Sequence, residues 1–300
     1  MSRILVLGGT RFVGRAIVEQ ALVSGHRITL FNRGLTDAGL FSNEAEIITG
    51  DRRNEQDVTQ LEAASWDAVI DVSAYTPSDL HAVLPALERR TARYCYISTI
   101  SVYRSDIAAG ADELAPTIEV EPSIARTDPL AYGGLKALCE RQLAERFTGR
   151  LTVVRPTVVI GPRDPTDRFG WWVRHVAPGG NVTVPPRVDQ HVQLIDSRDL
   201  AAFVVSVVER GVDGAFNAAG PLQPLTLGAM VDTIAEAARV TMNQEPGTDD
   251  GGFPLTVRAG DSDAVFRVSI KAALEAGLHL RPLTESARDV LSWERTRTGV

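Results

Sequence analysis

Residues 4–14 read Ile4-Leu5-Val6-Leu7-Gly8-Gly9-Thr10-Arg11-Phe12-Val13-Gly14, an apolar run that stops abruptly at a pair of glycines. A short apolar run, a glycine turn and then an amphipathic stretch read as a strand feeding a helix. That device aims backbone N–H groups and a helix N-terminus at one point, which suits a pyrophosphate. Gly8 can make the tight turn, Gly9 lets the backbone approach a ligand, and Gly14 lets the helix pack on the strand. Thr10, Arg11, Phe12 and Val13 complete the loop. The pattern is GGxxxxG, with Arg11 where the usual GxGxxG fingerprint has glycine.

Outward from this loop, apolar runs at 27–31, 46–49, 68–72, 94–98 and 151–155 join 4–7 as candidate strands. Helical patterns fall between them at 13–24, 55–64, 78–90 and 131–146. The alternation predicts an α/β fold, a doubly wound parallel sheet of the Rossmann kind. After Arg155 the rhythm breaks at Gly161-Pro162, Pro178-Gly179-Gly180 and Pro185-Pro186. Residues 1–160 therefore read as the dinucleotide-binding domain, completed by about 190–220, where a strand at 192–195, a helix at 197–209 and a strand near 215–217 follow one another. Residues 161–189 and 221–300 read as a smaller, discontinuous substrate-binding region. The stretch 243–252 reads as an exposed loop.

The second strand ends Phe31-Asn32-Arg33, where an NAD-selective fold usually places an acid for the ribose 2′-OH. Asn32 carries no charge to repel a 2′-phosphate, and Arg33, with Arg11 opposite, can grip one through bidentate hydrogen bonds. The expectation is NADP(H) in preference to NAD(H). After the third strand comes Gly50-Asp51-Arg52, where Asp51 is the candidate acceptor for the adenine amino group.

Tyr132-Gly133-Gly134-Leu135-Lys136 places a phenol and an ammonium four apart, on one helix face. With five tyrosines and only Lys136 and Lys271 as lysines, roughly 3% of such sequences would contain this spacing by accident. A neighbouring cation lowers a phenol's pKa, so Tyr132 is expected to act as a general acid or base with Lys136 beneath it. Upstream, the fifth strand ends in Ser98-Thr99-Ile100-Ser101. Hydroxyls at the C-terminal end of a parallel strand lie where doubly wound sheets bind ligands.

With these residues together, the chain resembles a short-chain dehydrogenase/reductase of the extended or atypical kind, in the NAD-dependent epimerase/dehydratase-like group. The GGTRFVG loop is similar to the GGxxxxG variant of an atypical subgroup that includes sugar epimerase-like, isoflavone reductase-like and RNA-binding members. The resemblance implies Thr99, Tyr132 and Lys136 as the active site, with Ser101 as a neighbouring hydroxyl and Lys136 also holding the nicotinamide ribose. Ser73, Ala74, Ser98, Lys136 and Pro156 join the loop residues, Asn32, Arg33, Asp51 and Arg52 as expected cofactor contacts. Thr99 stands where serine is commoner, and the upstream asparagine of the proton relay has no counterpart. Residues 156–159 are expected to supply the substrate pocket. Trp171 or Trp172 faces it or packs in the core, with Arg168, Arg174 or His175 as polar partners. The acidic loop 104–128 either covers the substrate or is simply solvated.

The first functional expectation is an NADP(H)-dependent carbonyl reductase or alcohol dehydrogenase acting on a small molecule. The alternatives are a nucleotide-sugar epimerase or dehydratase with retained NAD, and a nucleotide-binding RNA-associated or redox-sensing protein without turnover. A formal charge of −7 disfavours nucleic acid as a partner. No apolar run reaches the length of a membrane span and the chain opens without a signal-like segment, so it reads as cytoplasmic. Cys95 and Cys139 read as buried free thiols, and His26, His81, His191 and His279 show no metal spacing. Asp196 and Asp199 are read as helix caps. Family resemblance suggests a homodimer.

Overall fold

The computed structural model describes residues 1–37, 39–248, 252–257 and 260–298. In chain order these form β1 (Arg3–Leu7), α1 (Phe12–Val23), β2 (Arg27–Asn32), β3 (Glu46–Thr49), α2 (Glu55–Val58), β4 (Ala68–Asp71), α3 (Val83–Leu87), β5 (Arg93–Ile97), α4 (Ala131–Arg146) and β6 (Arg150–Pro156). There follow β7 (Val158–Ile160), α5 (Arg168–Val176), β8 (Gly180–Val184), β9 (Leu194–Asp196), α6 (Ser197–Arg210), β10 (Gly214–Ala218), α7 (Leu227–Ala238), β11 (Met242–Pro246), α8 (Lys271–Glu275) and α9 (Leu283–Thr298).

Seven strands pair in parallel in the order β10-β6-β5-β4-β1-β2-β3. The chain winds outward from β1 through β2 to β3, then crosses to lay β4 on the other side of β1. That reversal opens a crevice at the C-terminal ends of β1 and β4, the place where doubly wound sheets take ligands. The period-2 geometry of β1 feeds two cores. Ile4 and Val6 pack beside Ile17 of α1 and Leu200 of α6, whereas Leu5 and Leu7 pack beside Cys139 and Leu143 of α4. Each large apolar side chain buried this way contributes about 1.5–3 kcal/mol. A third core, with Trp172, Val173, Met230 and Val290, joins α5, α7 and α9 over β8.

Three expectations about local structure need correction. The pattern at 78–90 is no single helix. A Thr76–Asp79 capping box closes a 3-10 turn at Pro77–Asp79, and Pro85, tolerable only in a helix's first turn, makes α3 start at Val83. The 55–64 stretch is α-helical only to Val58 and 3-10 from Thr59 to Ala63. Residues 243–252, expected as a loop, begin in β11, which pairs in parallel with β8 from Met242↔Gly180 to Pro246↔Val184; residues 249–251 lie outside the described residues. Both cysteines are free and buried, and burial pushes their thiols up to about 12 for Cys95 and about 11 for Cys139. Among the described residues no helix is long and apolar enough to cross a membrane.

Candidate active site

The glycine loop turns as its sequence requires. Gly8 and Gly9 have φ of 107° and 98°, values that side chains rarely adopt. A Cβ on Gly14 would come within 3.0 Å of the Gly9 backbone, so the third glycine is what lets α1 approach the turn. α1 has no side-chain N-cap and no acid in its first turn, which leaves its N-terminal N–H groups for an anion. These residues fit the phosphates of a dinucleotide.

From this loop a cleft of about 1060 Å³ runs along the sheet's C-terminal edge. Its wall includes Gly8 to Gly14, Asn32, Arg33, Asp51, Arg52, Ser73, Ser98, Thr99, Ser101, Tyr132, Lys136 and Pro156. Of the anticipated catalytic and cofactor residues only Ala74 is not part of this wall. It is fully buried, and its carbonyl accepts hydrogen bonds from Lys136 Nζ at 2.9 Å and the Tyr96 hydroxyl at 3.0 Å. Arg11 and Arg33 are exposed at the cleft, and Asn32 Oδ1 accepts from the Gly34 N–H at 2.8 Å.

Arg52 is committed to the protein. Its guanidinium donates to both oxygens of Asp71 at 2.8 and 2.7 Å, to Ser73 Oγ at 2.8 Å and to the Asp79 carbonyl at 2.7 Å. Burial alone would raise the Asp71 carboxyl, but Arg52, the Tyr94 hydroxyl and the Ser73 N–H together hold it below the usual carboxylate range. This buried pair shapes the turn after β4, which carries Tyr75 into the cleft.

At the other end, Tyr132 sits one residue into α4. A Cβ on Gly133 would collide with the Ser101 carbonyl, and one on Gly134 would lie 2.6 Å from Val120, so this glycine pair lets α4 press onto the 99–103 turn. Thr99 Oγ1 accepts from the Ser101 N–H at 3.1 Å and lies 3.2 Å from Ser101 Oγ. Half of the Tyr132 surface faces the open cleft. Desolvation raises its pKa and Tyr75 adds to the rise, while Thr99 and Arg168 pull it down. This corrects the expectation of a phenol lowered by Lys136. The lysine shares a helix face with Tyr132, but its long stem carries Nζ to the carbonyls of Ala74 (2.9 Å) and Ile97 (2.6 Å), 4.1 Å from the Tyr96 ring. Lys136 is 2% exposed, and burial brings its pKa down to about 8 against the upward pull of Asp71.

Behind the hydroxyl turn lies a second buried ion pair. Glu140, one helical turn beyond Lys136, accepts from Arg155 Nε at 3.1 Å and Nη2 at 2.6 Å, and also from Ser98 Oγ. Arg155 donates further to the Tyr103 hydroxyl at 2.8 Å and the Glu113 carbonyl at 3.0 Å. Glu113 is thereby tied into the fold, and its carboxylate accepts from the Asn217 N–H at 2.7 Å, so the acidic loop is anchored at that residue. Arg126, from the same loop, reaches the cleft.

The substrate end differs from expectation in its aromatic residues. Trp172 is fully buried and donates to the Pro254 carbonyl, Trp171 stacks on His175, and neither lines the cleft. Arg174 is held by Asp167 and Glu294. Arg168 does line the cleft, with Pro156 to Val159, Pro165, Thr166, Val265 and Phe266. Asp196 caps α6, but Asp199 binds Arg281 at 2.8 Å instead of capping. Among the histidines, His26 pairs with Glu209 at 2.7 Å and His191 with Asp263 at 2.9 Å. Tyr75 was missed in the sequence because a lone tyrosine in an irregular turn carries no periodicity. Its only signal was its place just after the fourth strand.

The fold and this cleft define an extended short-chain dehydrogenase/reductase. The family model described as "NAD dependent epimerase/dehydratase family" matches residues 4–219, and the chain belongs to that family. Among solved structures it is similar to UDP-glucose 4-epimerase of Thermotoga maritima, solved with UDP-glucose (16% identity, 99% of each chain, TM-score 0.75). It is also similar to UDP-glucose 4-epimerase of Thermus thermophilus in complex with NAD (17% identity, 98% of this chain and 99% of that one, TM-score 0.72). Among characterised proteins it is 26% identical to the chloroplast stem-loop binding protein of 41 kDa b of Arabidopsis thaliana, over 97% of this chain and 75% of that protein.

Proposed function

We propose that this protein carries out hydride transfer at an alcohol carbon of a sugar-type substrate, in the manner of an epimerase or dehydratase, with a dinucleotide as redox carrier. The observation that carries the proposal is the placement of Tyr132, half open to the cleft and beside Thr99 and Ser101, at the end opposite the glycine loop. A dinucleotide held by the Gly8–Gly14 loop would supply reversible hydride acceptance at the substrate carbon. Tyr132 holds the hydroxyl proton released or required at the substrate oxygen, and Thr99 orients that oxygen through its own hydroxyl. Lys136 fixes the cleft floor by binding the Ala74 and Ile97 carbonyls.

A one-way NADP(H)-dependent reductase is the second reading. It is favoured by Arg11 and Arg33, which have no ion-paired acid among the described residues and flank the neutral Asn32. An RNA-associated role, raised by the name of the Arabidopsis relative, fits poorly with a charge of −7. Denaturing freshly purified protein, identifying any released nucleotide by mass spectrometry and titrating the emptied protein with NADPH and NADH tests both readings. Retained NAD is expected for the epimerase or dehydratase; an empty site preferring exchangeable NADPH moves the assignment to the reductase.

A further inference from the structure

The substrate end of the cleft carries two arginines from separate segments. Arg126 belongs to the loop before α4, and Arg168 is the first residue of α5. Neither has a carboxylate within ion-pair distance among the described residues. Among the described residues the one side-chain hydrogen bond of Arg168 runs from Nε to Thr166 Oγ1 at 3.1 Å, not from its terminal nitrogens. Its charge is felt at the Tyr132 phenol, so it stands close to the reacting position. The acids of the cleft wall, Asp51 and Asp79, follow β3 and β4 on the dinucleotide side.

The far wall is short and bolted in place. Val265 and Phe266 line the cleft from the 3-10 turn Ala264–Arg267. Asp263 accepts from the His191 N–H at 2.8 Å, and Gln193 bonds both the N–H and the carbonyl of Val268, at 3.1 and 3.0 Å. The Gly110 N–H donates to the Arg267 carbonyl at 2.7 Å. Hydrogen bonds thus hold this turn at both ends, which favours a short ligand over a long one. The cleft's volume of about 1060 Å³ serves the dinucleotide and the substrate together. Single-ligand pockets run to roughly 300–1,000 Å³, so a cleft shared by two ligands favours the more compact substrate.

We infer that the substrate is a compact anion, a sugar-like molecule bearing its own carboxylate or phosphate, held by Arg126 and Arg168 with an alcohol carbon presented to Tyr132, and not a sugar linked to a nucleoside diphosphate. The inference rests on the redox reading above. Guanidinium forks match carboxylate and phosphate oxygens in pairs, and an anion fixed at one end orients the rest of a small ring.

The test is calorimetric titration of the protein, saturated with whichever of NADP⁺ or NAD⁺ binds more tightly, with D-glucuronate, D-glucose 6-phosphate, D-glucose and UDP-glucose. One charged monosaccharide is expected to bind at least about 10-fold more tightly than glucose, and which one separates carboxylate from phosphate. Arg126→Gln and Arg168→Gln are each expected to weaken it about 10-fold, with dinucleotide affinity unchanged as proof of folding. Charged sugars that bind no better than glucose overturn the inference, as does tighter binding of UDP-glucose that survives both substitutions. Turnover of UDP-glucose would leave the redox reading standing while removing this one. If neither dinucleotide binds, the redox reading fails first, and the same titrations on the bare protein still decide whether the arginines hold an anion.

Discussion

The two ends of the cleft are held by different means. At the dinucleotide end the ligand-facing surface is mostly backbone, shaped by glycines and stiffened by the buried Arg52–Asp71 pair at 2.7 Å. At the catalytic end it is mostly side chain, contributed by β5, α4, α5 and the turn at Ala264–Arg267, and stiffened from behind by the Arg155–Glu140 pair at 2.6 Å. Backbone geometry suits the pyrophosphate that NAD and NADP have in common. Side chains can be exchanged without disturbing the turn, so the catalytic end is where substrate preference is written.

Four measurements break or sharpen that contrast. Tyr132→Phe is expected to lower kcat by about a hundred- to ten-thousand-fold with dinucleotide affinity unchanged, since only a proton-handling group is lost; a fully active variant removes Tyr132 from the chemistry. Arg155→Met leaves Glu140 buried without its partner and is expected to cost about 3–5 kcal/mol in chemical denaturation, with much of it recovered in the Arg155→Met/Glu140→Leu double variant. At the opposite end, Arg33→Ala is expected to weaken NADPH binding by about 10- to 100-fold and leave NADH untouched; equal losses for both cofactors would show that Arg33 reads no 2′-phosphate. The last concerns Lys136, whose folded pKa of about 8 lies below its ordinary 10.5. Between those values the unfolded chain holds the proton and the folded one does not. Stability from this group therefore rises with pH across that window, by at most about 1.4 kcal/mol per pH unit, and its cost is fully present below it. Urea unfolding of the wild type and Lys136→Met at both edges of the window reads the difference.

Legibility in the sequence follows the same division. Strands β1, β2, β4, β5 and β6 announce themselves as apolar runs because both sheet faces are covered there, and the glycine loop and the Tyr132–Lys136 spacing are local patterns of seven and five residues. β11 was hidden because its Asn243, Gln244 and Glu245 are polar and its partner β8 lies far back in the chain. Trp171 and Trp172 illustrate the opposite failure: aromatic residues attract functional readings, yet these pack with Phe253 and His175. The destination of Lys136 was equally beyond local pattern, since helical spacing fixes where Nζ starts and only the sheet shows which carbonyls it reaches. Tyr75 and Arg126 lie in irregular segments, and the turn that carries Tyr75 is held by Asp71 and Asp79.

The crossing from β6 to β10 also bears on how the molecule assembles. α1 shares its apolar core with α6, and His26 beside it pairs with Glu209, so the first helix made finds its packing partner only after the segment from Ile160 onward has been completed. At roughly 5–20 residues per second, a ribosome takes on the order of three to twelve seconds to travel from Ile160 to Ala218. Throughout that interval the part of α1 that meets α6 and the outer edge of β6 have no partner from the later segment. The nucleotide half thus precedes, in the chain, the helix and strand that complete its packing.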